Sequence, residues 1–320
     1  MNNIICIAGP PASGKTALAV ELAKELNGEV VSCDSMQVYR RMDIGTAKPT
    51  IDEMQGIPHH MIDVAEPDED FSVSRYCNLA APIVEDIVSR GKTAVIAGGT
   101  GLYMDSLIQG NDFAPFPSTG VREKLEQEAR AQGIQVLYDR LAAIDPEAAG
   151  RLHLSDQKRI IRALEVYLET GETITEHNRK TQLLPPRFSP IWLGLDFENR
   201  AELYERIDRR VGIMLEQGLI GEIQSLLSSG IPEKCTAMQA IGYKEFVAAL
   251  NGECTLEEAA DQVRQSSRRY AKRQLTWFRR NKSIHWLTRK PGQDGGEILT
   301  QARQLLQEND SWNVIAYGYP

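Results

Sequence analysis

The stretch Gly9-Pro10-Pro11-Ala12-Ser13-Gly14-Lys15-Thr16 constrains this chain more than any other. It matches the pattern G-x-x-x-x-G-K-[ST], follows an apolar run (Asn3–Ala8) and opens a helical one. In that helical run Leu18, Ala19, Leu22, Ala23 and Leu26 recur at helical spacing before Asn27-Gly28 stops it. A strand, a glycine-containing turn and a helix in this order let backbone N–H groups curl around phosphate oxygens. The helix N-terminus adds positive potential, and Lys15 adds a mobile cation. Thr16 stands where its hydroxyl can ligate a Mg²⁺ that bridges two phosphates. All eight residues are therefore expected to hold a diphosphate or polyphosphate group. The molecule that carries the phosphates stays open at this point.

Four more short apolar or β-branched runs read as strands: Glu29–Cys33, Thr93–Ala97, Pro190–Leu195 and Ile284–Leu287. The first three strands of the chain each lead into a turn and a helical pattern, which predicts a parallel α/β sheet. Residues 111–189 differ. They contain no convincing strand, are bounded by Pro115 and Pro117 and by Pro185, Pro186 and Pro190, and predict helices over Val121–Gln132, Ile134–Ile144 and Asp156–Thr170. The expected architecture is an α/β core of residues 1–112 and 190–320 with a helical insertion domain at 113–189. Glu202–Leu227, Leu256–Asn281 and the neighbourhood of Ile298–Leu306 read as further helices.

A 42% hydrophobic share over 320 residues excludes wholesale disorder. No window approaches the ~18 continuous apolar residues of a membrane span. Five cysteines, odd in number and without Cys-x-x-Cys spacing, argue against a disulfide framework and a structural zinc site. A soluble cytoplasmic protein with no membrane partner is expected. The net charge of −8 would count against a nucleic-acid partner, but it hides the distribution. From Gln262 to Gln293 there is no acidic residue, against ten Lys and Arg; Ile51–Phe71 is the acidic counterpart. Within the first stretch Ala271, Leu275 and Phe278 make an apolar seam at helical spacing. The Arg and Lys residues around it lack acidic i±4 partners, which favours a polyanion over self-contained ion pairs. Lys158, Arg159 and Arg162 form a second basic group.

Asp34 falls at the carboxyl end of the second strand, where ligands collect in doubly wound sheets. It is either a group acting on the attacking substrate, or a cap for the next turn or a carboxylate that supports a Mg²⁺ through its ligands. Ser35 and Gln37 either hydrogen-bond a planar polar group or cap that turn. Gly98-Gly99-Thr100-Gly101 at the end of the third strand permits close backbone approach, to a ligand or to another part of the chain. His59-His60 lacks a third strong ligand at suitable spacing and reads as a structural pair. Trp277 and Tyr270 read as core packing, with stacking on a base as the other option. A phosphate-loop transferase or kinase with an RNA-sized basic surface results.

Taken together the motifs resemble the bacterial tRNA dimethylallyltransferases (tRNA isopentenyltransferases), from about Ile5 to Leu287. The match is carried by the phosphate loop, Asp34–Tyr39, Asp43–Pro49, His59–Asp63 and Gly98–Tyr103. It continues through Arg159–Tyr167, Ala240–Glu245 and Ala271–Arg279. The resemblance implies a P-loop NTPase-like core and transfer of a dimethylallyl group from dimethylallyl diphosphate to N6 of adenosine 37 in the tRNA anticodon loop. Diphosphate leaves, and Mg²⁺ assists. It further implies Asp34 as general base, with Lys15, Thr100, Arg209 and Arg210 at the reacting centre. Its tRNA-contact positions map to Asp34, Ser35, Met36 and Gln37, to Thr100 and Arg122, and to Lys158, Arg159, Ile160, Ile161 and Arg162. Others are Gln239, Gly242, Tyr243 and Lys244, and Lys272, Arg273, Gln274, Trp277 and Arg279. The insertion domain is expected to contact tRNA, and the protein to act as a monomer. Pro11, Lys158 and Gly221 depart from the family's usual Thr, Gln and acidic residue. The alternative is a kinase of a small molecule or nucleoside, which shares only the phosphate loop.

Overall fold

The apolar runs become strands because helices on both faces leave no side of the sheet in water, so continuous burial is favoured over alternation. In the computed structural model, which describes residues 3–110 and 119–308, every residue of β1 (Ile4–Ala8) is buried. It is followed by α1 (Lys15–Glu25), β2 (Gly28–Cys33), α2 (Ile51–Met54), β3 (His59–His60), α3 (Val73–Ser89), β4 (Thr93–Gly98) and α4 (Gly101–Gln109). Five helices come next: α5 (Val121–Gln132), α6 (Ile134–Ile144), α7 (Pro146–Ala149), α8 (Gln157–Thr170) and α9 (Ile174–Leu183). The chain ends its described part with β5 (Ile191–Phe197), α10 (Arg200–Glu216), α11 (Leu219–Ser228), α12 (Lys244–Leu250), α13 (Leu256–Phe278), β6 (Ile284–Arg289) and α14 (Gly295–Glu308).

Two compact units result, Met1–Ile108 with Arg187–Pro320, and Gln109–Pro186. In the first, six parallel strands run in the order β3-β2-β4-β1-β5-β6. Ile5 and Ile7 of β1 pack with Leu18 and Leu22 of α1 and with Ile298 and Leu306 of α14. The register sets Ala8 opposite Gly98, and Gly98 opposite Cys33, so β1, β4 and β2 end level. The second unit holds α5 to α9 and no strand among its described residues. Leu125, Leu137, Leu141, Ile160 and Leu164 form its core, and a Thr173–Glu176 capping box starts α9. The expected domain edge at 112/113, with Pro115 and Pro117, lies outside the described residues.

Three features depart from the sequence reading. Glu202–Leu227 is two helices, because Gly218 takes φ 98° and turns the chain between α10 and α11. The second strand leads first into a long excursion (34–72), with its covering helix α3 coming only after that. The histidine pair contributes an edge strand, β3, paired to Val30 and Val31 of β2. Among the described residues no group of three or more His, Cys, Asp or Glu could hold a metal. No described helix is long and apolar enough to cross a membrane.

The edge strand is fastened by a buried carboxylate. Glu29 accepts from Arg90 at 2.6 and 2.9 Å and from Lys92 at 2.7 Å, and His60 Nε2 lies 2.8 Å from its Oε2. Arg90 above all, then Lys92 and His60, hold the carboxyl well below the usual carboxylate range. A carboxylate depressed on folding stabilises the fold above its unfolded pKa and loses that contribution as pH falls. Glu29→Gln should therefore lose about 2 kcal/mol at neutral pH, less than the ~3–5 kcal/mol of a fully buried pair because its cations are a third exposed. Denaturant titration should show the gap to the parent closing below about pH 4.

Candidate active site

The level ends of β1, β2 and β4 deliver three segments to one edge of the sheet: the phosphate loop, Asp34 and the Gly99–Gly101 turn. In the loop, Ala12 and Gly14 take positive φ (59° and 94°), which turns successive amides to one side. Lys15 folds back so that its Nζ donates to the Pro10 carbonyl at 2.7 Å. Burial brings its pKa down to about 8, with Arg210 adding to the effect and Asp34 opposing it. Arg210, on α10, is lowered by burial and also offset by Asp34; it donates to the Ala47 carbonyl at 3.4 Å. One turn earlier Arg206 donates to the Ala12 carbonyl at 3.0 Å. Sequence reasoning missed Arg206, although its i, i+4 relation to Arg210 places both on one helix face. It had paired Arg209 with Arg210, and the structure separates them: Arg209 is exposed and does not line the cavity.

Asp34 caps the turn that follows it and also lines the cavity. Its Oδ1 accepts from the amides of Met36 (2.8 Å) and Gln37 (3.4 Å), capping the turn, while Oδ2 has no protein partner among the described residues. Thr100 supports this turn from behind. Its hydroxyl accepts from the Ser35 amide at 3.0 Å and lies 3.3 Å from the Ser35 hydroxyl. Thr100 itself is not part of the cavity lining. Gln37 is engaged at both ends, its Oε1 by the Ser32 hydroxyl and its Nε2 by the carbonyls of Thr46 and Ala47. It braces the wall instead of offering a free amide.

The glycine turn is explained by packing inside the protein. A Cβ at Gly98 would strike the Cys33 carbonyl, at Gly99 the Gln274 amide, and at Gly101 the Trp277 ring. Gln274 donates to the Gly99 carbonyl at 2.7 Å, and Trp277 Nε1 to Asp105 at 2.7 Å. These contacts dock α13 against the sheet end, with Arg280 3.9 Å over the Trp277 ring. Tyr270 lines the cavity with Arg273 stacked on it, and burial pushes its phenol up to about 12. The same helix is less uncompensated than its sequence suggests. Arg268 pairs with Asp208 at 2.5 Å and Arg279 with Asp196 at 2.6 Å, partners from α10 and β5 that local spacing could not show. Arg269, Lys272 and Arg273 have no carboxylate partner among the described residues.

All this surrounds one cavity of about 460 Å³. Lys15, Thr16, Asp34 and Arg210 line it, along with Met36, Gln239, Gly242 and Lys244. Its apolar part includes Ile207, Val211 and Met214, at i, i+4 and i+7 on α10, with Ile241 and Val263. Three expected contact residues are buried away from it. Ile160 and Ile161 are buried in the helical unit's core, the inward side of a helix whose Lys158 and Arg159 are exposed. Tyr243 is fully buried, its hydroxyl 2.6 Å from Glu222. In the helical unit Arg122 forms a two-point pair with Glu165 at 3.0 and 2.8 Å, and Arg162 reaches the same carboxylate at 2.7 Å.

Residues 37–281 match a family model described as IPP transferase. A tRNA dimethylallyltransferase of Acetivibrio thermocellus is 44% identical over 307 residues, covering 96% of this chain and 98% of its own. One from Thermoanaerobacter sp. (strain X514) is 50% identical over 285 residues, covering 88% and 90%. The solved tRNA isopentenylpyrophosphate transferase of Bacillus halodurans superposes with a TM-score of 0.72 at 42% identity, covering 96% of each chain. A eukaryotic dimethylallyltransferase acting on tRNA gives 0.79 at 30% identity, covering 99% of this chain and 78% of its own.

A partly desolvated lysine with a pKa of about 8 is protonated below that pH and loses its charge above it. Affinity for inorganic pyrophosphate should fall as pH rises through about 8, by up to about tenfold per unit, and Lys15→Met should bind weakly with that dependence gone. Calorimetric titration checks this; a flat profile for the parent would contradict it.

Proposed function

Because this chain belongs to the IPP transferase family, we propose that it is a tRNA dimethylallyltransferase. It moves the dimethylallyl group of dimethylallyl diphosphate to N6 of adenosine 37 in the tRNA anticodon loop and releases diphosphate. The observation that carries this reading is Asp34. A carboxylate with an unengaged oxygen shares one cavity with the phosphate loop, Lys15 and Arg210. A kinase needs the cradle, but the family's several blocks extend far beyond it.

The loop amides, Lys15 and Arg210 would grip the diphosphate and stabilise the negative charge that grows on it as the allylic C–O bond breaks. Thr16, whose hydroxyl has no protein partner among the described residues and which lines the cavity, is the residue that would hold a Mg²⁺. That ion would neutralise leaving-group charge. Ile207, Val211 and Met214 suit the branched five-carbon chain. The adenine amine is a poor nucleophile because its lone pair is delocalised into the ring. Asp34 Oδ2 would accept an N6 proton as the N–C bond forms, while Oδ1 keeps the carboxylate oriented through the Met36 amide. Thr100 fixes the same turn through Ser35 and acts as a positioning residue. The purine would have to leave its stack, a cost of a few kcal/mol that a single-stranded loop keeps low. Arg269, Lys272 and Arg273 offer the uncompensated positive charge for the RNA backbone. Lys158 and Arg159 are the corresponding exposed cations of the helical unit.

Asp34→Asn keeps an acceptor for the Met36 amide but removes the base. It should lower turnover about 10²- to 10⁴-fold with tRNA affinity retained. Assay of prenylated tRNA and released diphosphate checks this; unchanged turnover would refute the role, and phosphorylation of a small acceptor by ATP, without prenylated tRNA, would refute the reaction. Lys272→Ala with Arg273→Ala should weaken tRNA binding and reduce the log–log salt slope by about 1.5. An unaltered slope would mean that those charges only face solvent.

A further inference from the structure

Glu222, on α11, lies outside the cavity lining yet makes the densest set of carboxylate contacts near it. Its Oε2 accepts from the amides of Asp43 and Ile44, both at 2.8 Å. Its Oε1 accepts from the Gly45 amide at 3.2 Å and the Tyr243 hydroxyl at 2.6 Å. Three consecutive backbone N–H groups aimed at one side chain form a nest that only an anion satisfies with every acceptor site in use. The buried Tyr243 ring lies against Gly45, where a Cβ would overlap it. Lys48 secures the far end, donating to the Tyr39 carbonyl at 2.9 Å and pairing with Asp43 and Asp63 at 2.5 and 2.6 Å.

The segment so fastened is the cavity wall. Gly45, Thr46 and Ala47 line the cavity, and the Thr46 and Ala47 carbonyls receive Gln37 while Ala47 also receives Arg210. Moving the nest by one ångström would move the acceptor that orients Arg210. The neighbouring Gly221, where an acidic residue was expected, is exposed with open space where a Cβ would sit.

We infer that Glu222 is a positioning residue for the transfer reaction: through the amides of Asp43–Gly45 it fixes the wall that orients Arg210 toward the donor's diphosphate. This rests on the reaction proposed above. In the full chain, Glu222→Gln puts an N–H₂ group among four donors. It should cut kcat/KM for dimethylallyl diphosphate about 10²-fold while leaving KM for tRNA within about threefold. Inorganic pyrophosphate, measured calorimetrically without RNA, should bind about tenfold more weakly. Tyr243→Phe keeps the three amide contacts and should lose no more than about fivefold. Parent-like donor kinetics in Glu222→Gln, or equal losses toward donor and tRNA, would overturn the assignment. Should that variant not fold, Gly45→Ala, which presses the wall against Tyr243 and leaves the carboxylate intact, must show the same donor-selective loss; its absence overturns the inference too. If the parent protein transfers no prenyl group, the reaction is wrong, and the pyrophosphate affinities still decide the role of Glu222.

Discussion

Three parallel strands that end at the same level make everything else at this site possible. With Ala8, Gly98 and Cys33 in register, the residues just beyond them must meet, whatever the intervening chain does. The close contact between β4 and β2 allows no side chain at position 98. Gly99 and Gly101 extend the same demand to α13, whose Gln274 and Trp277 occupy the space that side chains there would fill. A glycine-rich turn beside a phosphate loop suggests ligand approach, but here the partner is a helix of the protein. That helix in turn carries Tyr270 and Arg273 into the cavity lining.

The cavity's electrostatics are lopsided by construction. Lys15 and Arg210 are both half-buried and both lowered from their usual values, with Asp34 as the main opposing charge. Holding two cations beside one carboxylate leaves an excess of positive charge, an arrangement suited to a multiply charged anion. Asp34 opposes that excess without cancelling it, because one negative charge stands against two positive ones. The division of its two oxygens between fold and chemistry is what allows a single carboxylate to sit among cations without being lost to them as an ion pair.

Much of this was legible in the sequence. The strand–loop–helix at Gly9–Thr16, five of the strands, and α5 and α6 at their very boundaries follow from local pattern, because loop chemistry and helical periodicity are properties of neighbouring residues. The two-residue strand at His59–His60 was not legible, since its existence depends on β2 and on the Glu29 cluster. The pairing of Arg268 and Arg279 was hidden for the same reason: their carboxylates, Asp208 and Asp196, are distant in sequence. Arg206 and Glu222 carried a local signal, a helix face and a turn of α11, but nothing in the chain's order says that those faces meet residues 12 and 43–45.

The misplaced contact residues follow from one geometric fact about motifs. A block such as Lys158–Arg162 on a helix cannot present all its members to a partner, because successive side chains are turned by about 100°. Ile160 and Ile161 must face inward if Lys158 and Arg159 are to face out. The Gly242-Tyr243-Lys244 block obeys the same logic: Lys244 lines the cavity, while Tyr243 is buried and closes the Glu222 nest. A recurring block therefore records the groups that touch a ligand together with those that hold them there. Burial separates the two classes here: Lys158 and Arg159 are exposed and Asp34 and Lys244 line the cavity, while the isoleucines and Tyr243 are buried as support.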